Sequence, residues 1–509
     1  MSAPLRARLP DFAGRSLTLP DTPDAWERLN PGAARRNVLL LGLGPGDPQE
    51  LPFVRAALER GGTVFWVEDD GTLNQLHPAG MDAPGWQRLS PREAVELAGA
   101  DIYLYRPGLR LAPNFWGPLA GRFEAAAAAL SSAPARAPAV WLPGDGTQLL
   151  HRELQQALQE SGFTPVSGPA PGGAASLSAA WGGRLPAFTL SVNMRGLDAD
   201  GRIFHACRAL DVPVAIWFVD DPWLVLSAAR LPWWQEAHLF VTDASFLPGL
   251  AAAGARSVHP LPLAVAPHMW RPLPDAAEAA RLGRLAPRFV GRAAFPQRER
   301  FFAAARVPED LLTEALALTD VYAEPARLAN FRWWAERLQV RLWPGHEVRA
   351  AGLGAERCAQ ANRARWIAVG LPLGLRVTGD ALWRELVPGC RPEAPVDYYG
   401  RLPALYREAS AVLNATSLLI PQSLSQRHFD VWAAGGLLLS DATRGLDIFP
   451  AELTEPITLT SRAGLGPRLA ALAANPQAAR DLRQAWREHL RAAHTYGHRL
   501  AFIREKIGV

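Results

Sequence analysis

The stretch that decides the fold runs from Asn37 to Asp70, NVLLLGLGPGDPQELPFVRAALERGGTVFWVEDD. It opens on an apolar run, Val38 to Leu41, that reads as a buried strand. A glycine-rich turn, Gly42-Leu43-Gly44-Pro45-Gly46-Asp47, follows. A helical stretch and a second apolar run, Val64 to Val67, come next, closed by Glu68, Asp69 and Asp70. Strand, turn, helix and strand make a βαβ unit.

The pattern recurs outward from this unit. Strand-like segments lie in ADIYLYRP (100–107), APAVWLPGDG (137–146), AFTLSVNMRGLD (187–198), VAIWFVDDP (214–222), HLFVTD (238–243) and SVHPLPLA (257–264). A further series follows in PRFVGRAAFPQRERFFAAA (287–305), RWIAVGLPLGLRVTGDALW (365–383) and RHFDVWAAGGLLLSD (427–441). An alanine-rich helix is expected around 124–138 and a Gly/Pro/Ala-rich loop at 167–176. Repeated βα units predict an α/β fold of open parallel sheets with helices on both faces. Residues 1–36, rich in Pro, Arg and Asp, read as an extended lead-in, and 37–136 as an N-terminal α/β, Rossmann-like domain.

Composition narrows the class. The chain has 509 residues, 49% of them hydrophobic and 20% charged, enough apolar material for two to four domains and against disorder. Its 53 basic residues include one lysine, Lys506, and exceed the 49 acids by only four. The arginines are scattered, which argues against a nucleic-acid interface. Most of the arginine excess reads as genome bias; a few suit phosphate binding by a planar guanidinium. Cys207, Cys358 and Cys390 lie too far apart for a disulfide framework or a local zinc knuckle and fit a reducing cytoplasm. No signal peptide is read at the N-terminus, and no apolar run reaches the ~18 residues of a membrane span. Peripheral association with a membrane stays open.

Four places carry candidate chemistry. The Gly42, Gly44, Gly46 turn with Glu68 downstream resembles the first motif of S-adenosylmethionine-dependent methyltransferases, but a tight strand-to-helix turn that binds nothing is the preferred reading. Asp220 and Asp221 sit where a parallel strand meets its loop, placed for a base on an acceptor hydroxyl or for a helix cap. Gly291 and Arg292, with Arg298 and Arg300 beyond them, combine a strand end, a glycine turn and basic residues entering a helix, a set suited to a diphosphate or to an ordinary surface. Arg427-His428-Phe429-Asp430-Val431-Trp432-Ala433-Ala434-Gly435-Gly436 ends in small residues that allow close backbone approach. His494-Thr495-Tyr496-Gly497-His498-Arg499 lacks a third credible zinc ligand nearby. Trp217, Trp223, Trp233 and Trp234 read as core rather than as sugar platforms.

Taken in order, VAIWFVDDPW with HLFVTD and SVHPLPLAVAPHMWRP, FVGRAAFPQRERFF, LNATSLLIPQSLSQRHFDVWAAGGLLLSD and HTYGHR resemble the CgeB-like (spore maturation protein-like, DUF3880-type) glycosyltransferases of the GT-B class, over about 137–509. The resemblance implies two Rossmann-like lobes facing a cleft: an acceptor lobe (137–283), a donor lobe (284–490), and a C-terminal helix (491–509) returning to the acceptor lobe. It implies a nucleotide-diphosphate sugar as donor substrate, no permanently bound cofactor and no metal. The acceptor would be a glycan, a lipid-linked or a protein hydroxyl. Gly291, Arg292, Arg298, Asn414, Gln422, Arg427, Asp430, Gly435 and Gly436 fall in the donor-binding blocks. Arg292 and Arg298 match the diphosphate-gripping pair, and Asp430 matches an acid that accepts from ribose hydroxyls. Gln422 stands where many retaining members carry glutamate, which leaves a retaining or an inverting outcome open; if the enzyme inverts, a base is sought in Asp220, Asp221 or His205. The GLGPGD region is similar to the N-terminal α/β region of motility-associated flagellin glycosylation proteins. A methyltransferase activity in that domain, or a non-catalytic nucleotide- or glycan-binding role, remain the alternatives.

Overall fold

The computed structural model describes residues 7–30, 32, 34–77, 83–97, 99–127, 138–168, 177–181, 183–295 and 297–509. The alanine-rich helix is therefore described only as far as Ala127, and most of the 167–176 loop lies outside the described residues. The chain forms two compact units. One takes Met1–Asp145, Phe163–Ala215 and Ala229–His238; the other takes Gly146–Gly162, Ile216–Ala228 and Leu239–Val509.

The first unit begins with an antiparallel hairpin, β1 (Arg8–Pro10) and β2 (Ser16–Thr18). A five-stranded sheet follows, from β3 (Trp26–Arg28), β4 (Asn37–Leu41), β5 (Val64–Val67), β6 (Trp86–Arg88) and β7 (Ala100–Tyr105). Its order is β3-β7-β4-β5-β6. β4 pairs in parallel with β5 and β7, and β5 with β6; β3 alone runs antiparallel, on β7. Part of the stretch read as an extended lead-in is thus an edge strand. Trp26 commits it: 7% exposed, it joins Val38, Leu40 and Tyr105 in one apolar core. The same unit holds a parallel trio, β10-β8-β9, from β8 (Ala139–Trp141), β9 (Thr164–Val166) and β10 (Phe188–Val192). Phe188 to Val192 is buried at all five positions, as a strand covered on both faces must be.

β11 (Val214–Phe218), β12 (His238–Val241) and β13 (Ser257–Pro260), in the order β13-β12-β11, carry the chain into the second unit. That unit is built on β14 (Arg288–Val290), β15 (Arg376–Thr378), β16 (Val412–Asn414), β17 (Leu438–Asp441) and β18 (Thr458–Leu459). All pair in parallel in the order β15-β14-β16-β17-β18. A 23-residue helix, Val348–Gly370, runs beside this sheet. The C-terminal helix Tyr496–Ile507 packs on helix His151–Glu160. Arg499 fastens it to the segment after β13, donating to Pro262 O at 2.8 Å and Leu263 O at 2.9 Å. Among the described residues no helix is long and apolar enough to cross a membrane.

Candidate active site

In the second unit the chain lays down β14, moves to one side for β15, then crosses back to place β16 on the other side. The loops leaving β14 and β16 therefore part in opposite directions and open a crevice at the strands' carboxyl ends. Open α/β sheets bind ligands at such a switch point. Arg427, from helix Arg427–Ala433, spans it: Nε donates to Asn414 Oδ1 at 3.0 Å and Nη1 to Val290 O at 2.9 Å. Nη2 makes no hydrogen bond among the described residues, so one arm of the fork is left over. Asn414 is fully buried; its Nδ2 donates to Ser440 Oγ at 3.2 Å, and its Oδ1 also accepts from Ser425 Oγ at 2.9 Å.

The turn after β14 carries Gly291, Arg292 and Arg298. Arg292 is exposed, without a side-chain partner among the described residues, while Arg298 is half-buried and donates to Gln360 Oε1 at 3.4 Å. Two of the turn's amides are already in use. Ala293 N donates to Asp380 Oδ2 at 2.8 Å and Phe295 N to Glu356 Oε1 at 3.0 Å. The helix expected after the turn is only Arg298–Phe301, four residues. A single turn contributes little aligned dipole, so guanidinium groups are left as the main source of positive charge here.

The strand-end acid of β12 meets the loop that leaves β16. Asp243 is 1% exposed; its Oδ2 accepts from Gln422 N at 2.8 Å and its Oδ1 from Ser245 N at 2.9 Å. Asp221 is equally buried and caps helix Pro222–Leu226, Oδ1 accepting from Trp223 N at 2.8 Å and Leu224 N at 3.1 Å. Burial raises its carboxyl well above the ordinary range, partly offset by those two amides. Asp220, one residue earlier, is exposed. The two aspartates thus divide: Asp221 is committed to the fold and Asp220 is the one that reaches solvent.

Other expected site residues are placed differently. Asp430 is 1% exposed and turned inward, with Oδ1 accepting from Ala266 N and Gln426 Nε2, both at 3.0 Å, and Oδ2 from Tyr398 Oη at 2.7 Å. A ribose cannot reach a carboxylate closed in this way; Asp430 clasps the segment after β13 to its helix. Burial pushes it up to about 7. Gly435 and Gly436 end that helix. Gly435 has φ +84°, and a Cβ on Gly436 would lie 2.6 Å from Tyr406 O, so local backbone demands both glycines. His205 belongs to the first unit. It packs into a helix contact where a Cβ on Gly117 would lie 2.4 Å from its Nε2, and burial lowers it to about 4. That is a neutral, enclosed imidazole, not one open to an acceptor. His494 Nδ1 is bonded to Arg499 Nη2 at 2.7 Å, and Thr495 with His498 forms a helix capping box. Among the described residues no group of three or more His, Cys, Asp or Glu is placed to hold a metal. The four tryptophans named above are 0–3% exposed.

In the first unit, the order β3-β7-β4-β5-β6 puts the switch point between β4 and β7, where Gly42 and Gly44 lie. The protein fills that space itself. A Cβ on Gly42 would sit 2.8 Å from Tyr105 Cβ, and one on Gly44 would sit 2.5 Å from the Trp26 ring. Trp26 Nε1 donates to Gly42 O at 3.1 Å. Glu68 spends both oxygens on Leu43 N and Asp69 N.

Residues 356–505 match the model of a family described as glycosyl transferase-like. Among solved structures the chain is similar to T4 phage BGT in complex with UDP and Mn2+, at 9% identity, covering 73% of this chain and 99% of that one, with a TM-score of 0.37. No curated protein matches the chain.

Proposed function

We propose that the protein is a glycosyltransferase of the GT-B class, close to the CgeB-like group, that moves a sugar from a nucleoside-diphosphate donor to a hydroxyl of a glycan, lipid-linked or protein acceptor. The observation that carries this reading is the β14–β16 crevice, bridged by Arg427 and flanked by the turn with Arg292 and Arg298. The match of residues 356–505 to a glycosyl transferase-like model supports it.

In this reading Asp220 takes the proton of the acceptor hydroxyl as that oxygen bonds to the anomeric carbon. The bond from that carbon to the diphosphate breaks, and its electron pair leaves with the nucleoside diphosphate. Arg292, Arg298 and the spare Nη2 of Arg427 meet the charge that develops on the leaving group. The oxocarbenium-like transition state is the one glycoside cleavage also passes through. The three cysteines are buried and unpaired, which suits work in a reducing cytoplasm.

A thermal-shift screen against nucleoside diphosphates and their sugar conjugates tests the reading, because a ligand of the folded state alone raises Tm by mass action. One base should stand out. No response to any of them overturns the proposal.

A further inference from the structure

Helix Val348–Gly370 places Glu356, Gln360 and Arg363 at spacings of four and three residues, hence on one face. All three touch the turn that follows β14. Glu356 Oε1 accepts from Phe295 N at 3.0 Å. Gln360 Nε2 donates to Ala293 O at 3.0 Å while its Oε1 accepts from Arg298 Nη1 at 3.4 Å. Arg363 Nη2 donates to Ala293 O at 3.0 Å and to Glu356 Oε1 at 3.2 Å. Glu356 is 2% exposed and Arg363 is largely covered, so this ion pair is little screened.

The turn these residues hold has poor support of its own. Gln297 sits at φ +54°, a left-handed conformation that a side chain disfavours. Such a conformation persists only when its surroundings over-determine it, and the helix face holds Phe295 and Arg298 on either side of it. Asp380 completes the frame on Ala293 N.

We propose that Glu356, Gln360 and Arg363 are positioning residues that hold the Gly291–Arg298 turn so that Arg292 and Arg298 meet the donor's diphosphate together. The inference rests on the donor-site reading above and adds the part that sets its geometry. Gln360 fixes the Arg298 guanidinium itself; Glu356 and Arg363 fix the backbone on which both arginines ride. Loss of such an outer support should weaken binding of the charged ligand about tenfold, as loss of outer-shell partners does at metal sites.

The test is titration calorimetry of the full chain with UDP, GDP, ADP, CDP and dTDP, and with inorganic pyrophosphate. It compares wild type, Arg292→Ala, Gln360→Ala, Glu356→Ala and Glu356→Gln, with Tm measured for each. If wild type binds none of the probes, the donor-site reading fails. If it binds one and Arg292→Ala weakens that binding, the donor site stands and the other variants decide. Gln360→Ala and Glu356→Ala should each raise Kd about tenfold. Glu356→Gln, whose amide oxygen still accepts from Phe295 N, should recover most of the loss. Unchanged or tighter binding in Gln360→Ala and Glu356→Ala overturns the proposal. So does a loss in Glu356→Ala that Glu356→Gln fails to recover at equal Tm.

Discussion

Arg427 and Asn414 meet at 3.0 Å across the carboxyl ends of two neighbouring strands, and the same guanidinium reaches Val290 O on the first of them. One side chain thereby ties the halves of the crevice together and keeps a nitrogen in hand. A lysine carries a single charged nitrogen and cannot reproduce both bonds in their fixed geometry. Arg427→Lys should lower Tm by a few degrees, in line with about 1 kcal/mol for one backbone carbonyl left unmatched in a half-buried site. It should also weaken nucleoside-diphosphate binding. Scanning calorimetry with a matched titration checks both effects.

The split between Asp220 and Asp221 gives a second expectation. Asp220→Asn should cut turnover by a factor on the order of 10²–10⁴, the usual share of a general base, with Tm and donor affinity close to wild type. Asp221→Ala should instead cost about 1 kcal/mol of stability, because it removes the cap of helix Pro222–Leu226. Steady-state kinetics and denaturant melts on the two variants separate a chemical from a structural role.

The clasp at Asp430 makes stability depend on pH. Its folded-state carboxyl is raised to about 7 from an ordinary 3.8, chiefly by burial. Below the ordinary value both folded and unfolded forms hold the proton; between the two values the folded form binds more protons. Stability from this group therefore falls as pH rises from about 4 to about 7. Asp430→Asn keeps an oxygen for Ala266 N and lacks the titration. Its Tm relative to wild type should rise between pH 5 and pH 8. A difference that stays flat across that range contradicts the assignment.

Trp26 and Tyr105 fill the space over the glycine turn of the first unit. S-adenosylmethionine should accordingly produce no binding heat with the full chain. A measurable isotherm would show that the turn opens to ligand and would revive a methyltransferase reading for this unit.

Much of the fold is legible in the sequence because its strands are continuous apolar runs, such as Val38–Leu41 and Val214–Phe218, punctuated by glycine and acids. Trp26–Arg28 is not, since three residues carry no period and only the contact with Tyr105 makes them a strand. The candidate site is legible where backbone geometry demands a residue type, as at Gly435, whose φ is +84°. It is silent where a role depends on direction. Asp220 and Asp221 are the same residue in sequence, and only the turn of the chain buries one of them. Gln360 and Arg363 look like the solvated face of a helix until the turn after β14 is laid against them. Asp430 carries the right chemistry for a ribose, but Tyr398 and Ala266, distant in sequence, close it off.

The central claim is that arginines at the β14–β16 crevice stabilise a departing nucleoside diphosphate. The most direct measurement is kcat/KM for sugar transfer or donor hydrolysis by Arg292→Ala, with Tm recorded alongside. Arg292 is exposed and holds no side-chain partner among the described residues, so Tm should stay within a degree or so of wild type, as surface changes usually do. Turnover should fall by roughly 10²–10³, the loss typical of one transition-state charge donor. A variant that keeps near-normal kcat/KM contradicts the account.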